Sequence, residues 1–149
     1  MMPEEPLRVT VNKFTFVVPK GLLYTDAGVW VAREGGRARL GLSDYAQQRN
    51  GDIAFSKTKA IGTKLQPGDE FAEIETVKVN ESLPSPLRGV IVAVNASLPD
   101  APELINQDPY GKGWLAVVEL GDWERDCQSL LDETAYAKLV KELAESELK

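Results

Sequence analysis

The stretch AEIETVKVNESLPSPLRG, residues 72–89, sets a single lysine, Lys78, between Val77 and Val79, with carboxylates nearby at Glu73, Glu75 and Glu81. A primary amine in such a place can be acylated, or it can simply keep its charge in water. Gly68 lies ten residues before Lys78 and Gly89 eleven after it. Both glycines sit at candidate turns, which puts Lys78 at the tip of a hairpin with the apolar strands FAEI and GVIVAV on either side. Solvation alone explains a lysine at an exposed hairpin end, so spacing leaves its role open.

The remaining side chains exclude much other chemistry. There is no histidine, which removes Ser-His, Cys-His and histidine–metal arrangements. The single cysteine, Cys127, can form neither an internal disulfide nor a multi-cysteine metal site. No phosphate-cradling glycine loop is present. The 23 acidic residues are scattered, so no carboxylate pair stands out. The expectation is a protein with no catalytic residue and no metal ligand of its own, hence not an enzyme. A net charge of −6 disfavours nucleic acid, whose affinity comes from Lys and Arg on phosphates. No apolar run is long enough for a bilayer, and no leader-like segment opens the chain, which reads as a cytoplasmic protein and a monomer.

The elements that must position Lys78 are short strands. With 149 residues and 43% hydrophobic content the chain suits one domain over 1–149. Residues 1–6 read as a frayed terminus. VTVNKFTFVV reads as a strand, and VWVAREGGRARLGL as a hairpin turning at Gly35-Gly36. Ser43 or Asp44 caps a short helix that Asn50-Gly51 ends. Further strands are expected over 53–55, 71–79, 89–94 and 114–120, with a short helix near Pro102 to Asn106. Many short strands with Gly and Pro punctuation give an all-β sandwich or barrel core. Over 122–149 the pattern turns helical. DWERDCQSLL forms a short helix, and Tyr136, Leu139, Val140 and Leu143 line one face of an amphipathic helix capped by Asp132. These helices form a lid on the β core. Trp30, Trp114 and Trp123 are expected to pack, and Cys127 to be a buried small residue on a helix.

The segment GDEFAEIETVKVNESLPSPLRGVIVAVN resembles the lipoyl-attachment region of the glycine cleavage H-protein family. There an acidic residue stands three positions before the modified lysine and a Ser-Pro-x-x-Gly segment follows, matched here by Glu75, Lys78 and SPLRG. LLYTDAGVWV, LGLSDYAQQRNGDIAF, LINQDPYGKGWLAVVEL and LLDETAYAKL resemble further family segments in the same order, so the likeness runs over about Leu22 to Leu139. It implies a mainly β fold, a two-sheet sandwich/barrel hybrid of lipoyl-domain type with C-terminal helices packed on it. It also implies lipoate joined to Lys78 by an amide, an arm on the order of 14 Å long. Glu73, Glu75 and Glu81 would give a lipoate ligase or lipoyl transferase a charge pattern to read. Biotinyl lysines of related folds usually sit between methionines, and Lys78 does not. The dithiolane would exchange with Cys127 only if the fold brought the two together.

The chain departs from the family where its glycine-cleaving members carry polar side chains. Ala27, Gly28 and Val29 stand in three such positions, and Ser82 where Asp is usual, four residues after the lysine. A cationic aminomethyl cargo needs acceptors when it leaves water. The expectation is therefore a carrier with a degraded aminomethyl pocket. That favours the H-protein-like lipoate-binding proteins of sulfur oxidation, serving a heterodisulfide-reductase-like complex. The alternative is the glycine cleavage carrier, whose partners are glycine decarboxylase, aminomethyltransferase and dihydrolipoamide dehydrogenase. A more remote alternative is an interaction domain that is never modified.

Overall fold

The computed structural model describes residues 4–147. The chain runs β1 (Leu7–Val11), β2 (Phe14–Val18), β3 (Leu23–Tyr24), β4 (Val29–Glu34), β5 (Arg37–Leu42), α1 (Asp44–Asn50), β6 (Ile53–Thr58), β7 (Lys64–Leu65), β8 (Glu70–Thr76), β9 (Asn80–Pro84) and β10 (Gly89–Val94). There follow α2 (Leu104–Gln107), β11 (Ala116–Leu120), α3 (Trp123–Asp126) with a 3-10 turn over Cys127–Ser129, and α4 (Glu133–Glu147). Of the expected frayed terminus over 1–6, residues 1–3 lie outside the described residues, as do 148–149 at the other end.

Every strand pairs antiparallel. A six-stranded sheet, in the order β3-β4-β5-β11-β10-β7, faces a three-stranded sheet, β6-β8-β9. Alternating apolar residues supply the layer between them: Val29, Val31, Leu40 and Leu42 from one sheet, Phe71, Ile74 and Leu83 from the other. This is the expected sandwich. Trp30 lies opposite Gly41 in the register. Its indole occupies the space a Cβ at Gly41 would need, so only glycine fits there.

VTVNKFTFVV, expected as one strand, is two. Val11 pairs with Phe14 across a two-residue turn in which Asn12 takes φ 55°. Asparagine tolerates that left-handed conformation, and the apolar alternation changes phase at the turn, from Val9 and Val11 to Phe14, Phe16 and Val18. The resulting β1–β2 hairpin is a separate sheet, and α4 packs on it through Tyr136, Val140 and Ala144, the buried residues of that helix. Leu139 and Leu143, also expected on the buried face, flank the contact half-buried.

The caps follow the sequence. Ser43 Oγ accepts the Ala46 N–H at 3.2 Å, and Gly51, at φ 86°, ends α1. Asp132 Oδ1 accepts the Ala135 N–H at 2.8 Å and caps α4. Trp30 is fully buried and donates Nε1–H to Pro109 O at 2.9 Å. Trp114 and Trp123 pack half-buried under the guanidinium groups of Arg39 and Arg33, each 5.0 Å from the ring centroid.

Candidate functional site

Lys78 does sit at a hairpin tip, but not between the expected strands. GVIVAV belongs to the other sheet. The partner of β8 is β9, NESLP, with Glu75 opposite Asn80. β9 carries no run of β-branched residues and contains a proline, so propensity did not reveal it. The turn is closed by Thr76. Its amide donates to Val79 O at 2.8 Å, and its hydroxyl oxygen accepts the Lys78 and Val79 amides at 3.2 and 3.1 Å. That leaves Val77 and Lys78 alone at the apex, Val77 being 98% exposed. Rigid strands thus fix the root of a side chain that is free to swing.

The Lys78 side chain leans toward the end of α1. Its Nζ donates to Arg49 O at 3.4 Å, and its Cε lies 3.9 Å from where a Cβ on Gly51 would be. Among the described residues it forms no ion pair. The exposed, unpaired amine fits acylation by lipoate, and the amide N–H so formed keeps a donor for the same carbonyl. Among those residues, too, no cluster of His, Cys, Asp or Glu is placed to hold a metal.

The three glutamates expected around Lys78 divide between two faces. Glu81 lies opposite the fully buried Ile74 and so points to the inner face, toward α1. Glu73 lies opposite Ser82, and Glu75 opposite Asn80, which puts both acids on the outer face. Glu81 therefore belongs to a cleft beside the hairpin, while Glu73 and Glu75 remain on a surface open to a partner. Ser82 shares that outer face. Its hydroxyl, followed by the Lys59 ammonium, holds the Glu70 carboxyl below its usual range.

The cleft is bounded by the loop Asp26–Gly28, by Tyr45 and Arg49 of α1, by Glu81, and by Tyr136 and Leu143 of α4, enclosing about 60 Å³. It meets a wider trough of about 350 Å³ that shares Asp26 and Ala27 and runs past Pro84 to Leu131. Arg49, in the wall of the smaller cleft, lies 3.6 Å from Glu81 Oε1 and 3.9 Å from Glu147 Oε1. Tyr45 donates its hydroxyl to the same Glu147 oxygen at 2.9 Å. Burial, then that carboxylate, pushes the Tyr45 phenol up to about 12. Burial likewise pushes Tyr136 up to about 12; its hydroxyl lies 2.6 Å from Ser43 Oγ, and its ring stacks on Tyr24 at 4.4 Å.

Of the four positions expected to have lost polar side chains, only Ala27 and Gly28 line the cleft. Val29 is fully buried in the main core, and Ser82 points to the outer face. Asp26, Arg49 and Tyr45 reach the cleft without having been singled out. The last-turn cation of α1 was visible in the sequence, but its meeting with Glu81 depends on sheet register. Cys127, expected buried, is half-buried in the 3-10 turn, with its thiol 3.7 Å from Glu124 O, and it lines neither cleft nor trough.

With that geometry in place, the comparisons with known proteins agree. A sequence model of the family described as "Glycine cleavage H-protein" matches residues 22–143. The glycine cleavage system H protein of Chromohalobacter salexigens is 44% identical over 83% of this chain and 94% of its own length. That of Carboxydothermus hydrogenoformans is 38% identical over 87% and 98%. The crystal structure of such a protein from Mycobacterium marinum superposes with a TM-score of 0.71 at 31% identity, covering 81% of this chain and 97% of that one. The chain belongs to the glycine cleavage H-protein family and is a lipoyl carrier rather than an enzyme.

Proposed function

We propose that this chain, as one carrier domain, is the lipoyl carrier of a glycine cleavage system, with lipoate on Lys78. When attached, the lipoyl group supplies a disulfide that opens to two thiols and can hold a transferred group on sulfur. The protein's own residues root, orient and shelter that arm. Thr76 fixes the apex, α1 receives the lysine stem, and Asp26 and Glu81 offer carboxylates in the adjoining cleft, which shares Tyr45 and Arg49 with the surroundings of Lys78. Those two carboxylates carry the reading, because a cationic amine leaving water needs such acceptors.

Correcting the placement of Val29 and Ser82 removes half of the argument for a degraded pocket, and with it the preference for sulfur oxidation. The relatives reported above are named for glycine cleavage. The expected partners are then a glycine decarboxylase, an aminomethyltransferase and a dihydrolipoamide dehydrogenase, after modification by a lipoate ligase or lipoyl transferase. Glu73 and Glu75, on the outer face, suit recognition by the modifying enzyme. The test is the glycine–bicarbonate exchange reaction of a glycine decarboxylase with the lipoylated chain as acceptor. Exchange comparable to an H protein, reduced severalfold by Glu81→Gln, is expected. A lipoylated chain that supports no exchange would overturn the glycine cleavage assignment.

A further inference from the structure

The family match begins at Leu22, so the hairpin of β1 and β2 lies outside it. That hairpin is nevertheless fastened to the site. Asp44 Oδ2 accepts the Val17 amide at 2.8 Å, Tyr110 donates its hydroxyl to Val17 O at 2.7 Å, and Gln48 donates to Thr15 O at 3.0 Å. All three contacts bind β2 to α1 or to the segment packed against it. They hold an aromatic ladder in place. Phe16 meets Tyr45 edge-on at 5.1 Å, and Phe14 stacks on Phe16 at 6.5 Å and 11°. Phe14 is the outermost rung and is left 43% exposed.

A cleft of about 300 Å³ opens along this ladder, and Lys78 is one of its lining residues. Phe14, Phe16, Tyr45 and Ala144 give it apolar lining, and Arg49 and Glu147 add charged groups. That volume is at the lower end of the range for small-molecule sites, and the mix of an apolar wall with a few polar groups is also typical of them. The Lys78 stem already leans toward Arg49, another residue lining the cleft.

We propose that the N-terminal hairpin builds a resting cleft for the lipoyl arm of Lys78, with the dithiolane and its methylene chain lying against Phe14 and Phe16. The proposal rests on Lys78 being the lipoyl lysine. Its chemistry is that of the wall. An apolar chain ending in two polarizable sulfurs finds aromatic edges and faces, with which sulfur makes favourable contacts, and an exposed phenylalanine is covered. Acylation also removes the lysine charge, which would otherwise keep the stem in water. This shelter adjoins the Asp26–Glu81 cleft, with which it shares Tyr45 and Arg49, and its phenylalanine wall comes from a segment beyond the family region.

The test uses the full chain lipoylated with ¹³C-labelled lipoate. Intact and peptide mass spectrometry first establish one lipoyl group on Lys78; its absence there overturns the attachment reading and not merely the cleft. With attachment shown, the arm's methylene resonances should be displaced upfield of free lipoamide by the ring currents of Phe14 and Phe16. Phe14→Ala should move them back toward the free positions. It should also speed reduction of the dithiolane by a water-soluble phosphine by roughly threefold to tenfold, the change expected when part of an aromatic wall is lost. Phe14→Leu keeps an apolar wall; there the ring-current shift should shrink while reduction stays slow, and this variant carries the test if alanine disturbs the hairpin's circular dichroism. Arm resonances at the free positions in the unmutated chain, or unmoved by Phe14→Ala, overturn the proposal.

Discussion

Replacing Gly28 with alanine adds one methyl group at the point where the cleft loop touches α1. Gly28 has φ 87°, and a Cβ there would lie 2.7 Å from Ala46 Cβ, with Ser43 Oγ at 3.6 Å and the Tyr136 hydroxyl at 3.8 Å. Two costs add. The left-handed backbone costs a non-glycine residue about 1–2 kcal/mol. Forcing a methyl into the packed contact costs about 1–3 kcal/mol more, because Ala46 sits on a helix held by the Ser43 cap and cannot retreat alone. Gly21 supplies the control, having φ 84° and nothing within 4 Å of its would-be Cβ. Gly21→Ala should therefore cost only the backbone share, about 1 kcal/mol after the gain from a stiffer unfolded chain. Gly28→Ala should cost about 3 kcal/mol, a fall in Tm of roughly 10 °C for a chain of this size. Chemical denaturation of both variants, with Tm from calorimetry, measures the difference. Equal costs for the two glycines would refute the close approach of loop and helix. They would also reopen the question of why no larger side chain stands at position 28.

Other outcomes are expected as follows. Lys78→Arg keeps the charge but lacks the acylable amine, so intact mass after lipoylation should show no addition; an unchanged adduct would place the modification elsewhere. Asp126→Asn should cost about 2–4 kcal/mol in denaturant unfolding. That carboxylate is buried, accepts the Arg88 amide at 2.8 Å and lies 2.9 Å from Arg88 NH2, while the partner guanidinium keeps some solvent. A cost under about 0.5 kcal/mol would show that the pair does not tie the β9–β10 turn to α3. All four tyrosines have phenols raised by burial. A raised folded pKa favours the protonated, folded form. Its stabilising contribution is thus whole below the unfolded value of about 10 and is lost as pH climbs through about 12 for Tyr45 and Tyr136. Stability should fall steeply above pH 10, with tyrosinate absorbance appearing together with unfolding; phenols titrating near 10 in the folded protein would contradict this. Cys127→Ser should leave dithiolane reduction nearly unchanged, since the thiol lines neither cleft nor trough.

Much was legible from the order of residues because local physics and the family likeness act along the chain. The attachment segment with Lys78, the Gly35-Gly36 hairpin, the Ser43 and Asp132 caps and the sandwich class all rest on short-range patterns. Absent histidine and a lone cysteine narrowed the chemistry before any fold was known. The misreadings arose where strand pairing, register or packing decided the outcome and residue propensity did not. β9 is a strand because β8 offers it a ladder, not because NESLP favours one. Register, whose period is two, sends Glu81 inward and Ser82 outward, and a shift of one residue would have exchanged them. Val29 left the pocket because its strand turns it into the core. Arg49 met Glu81 and Glu147, and Phe14 came to stand beside Lys78, only when α1 and the N-terminal hairpin packed at the same end of the sandwich. The family likeness pointed to the amine of Lys78; long-range packing chose its surroundings, since the contacts that make them join segments dozens of residues apart.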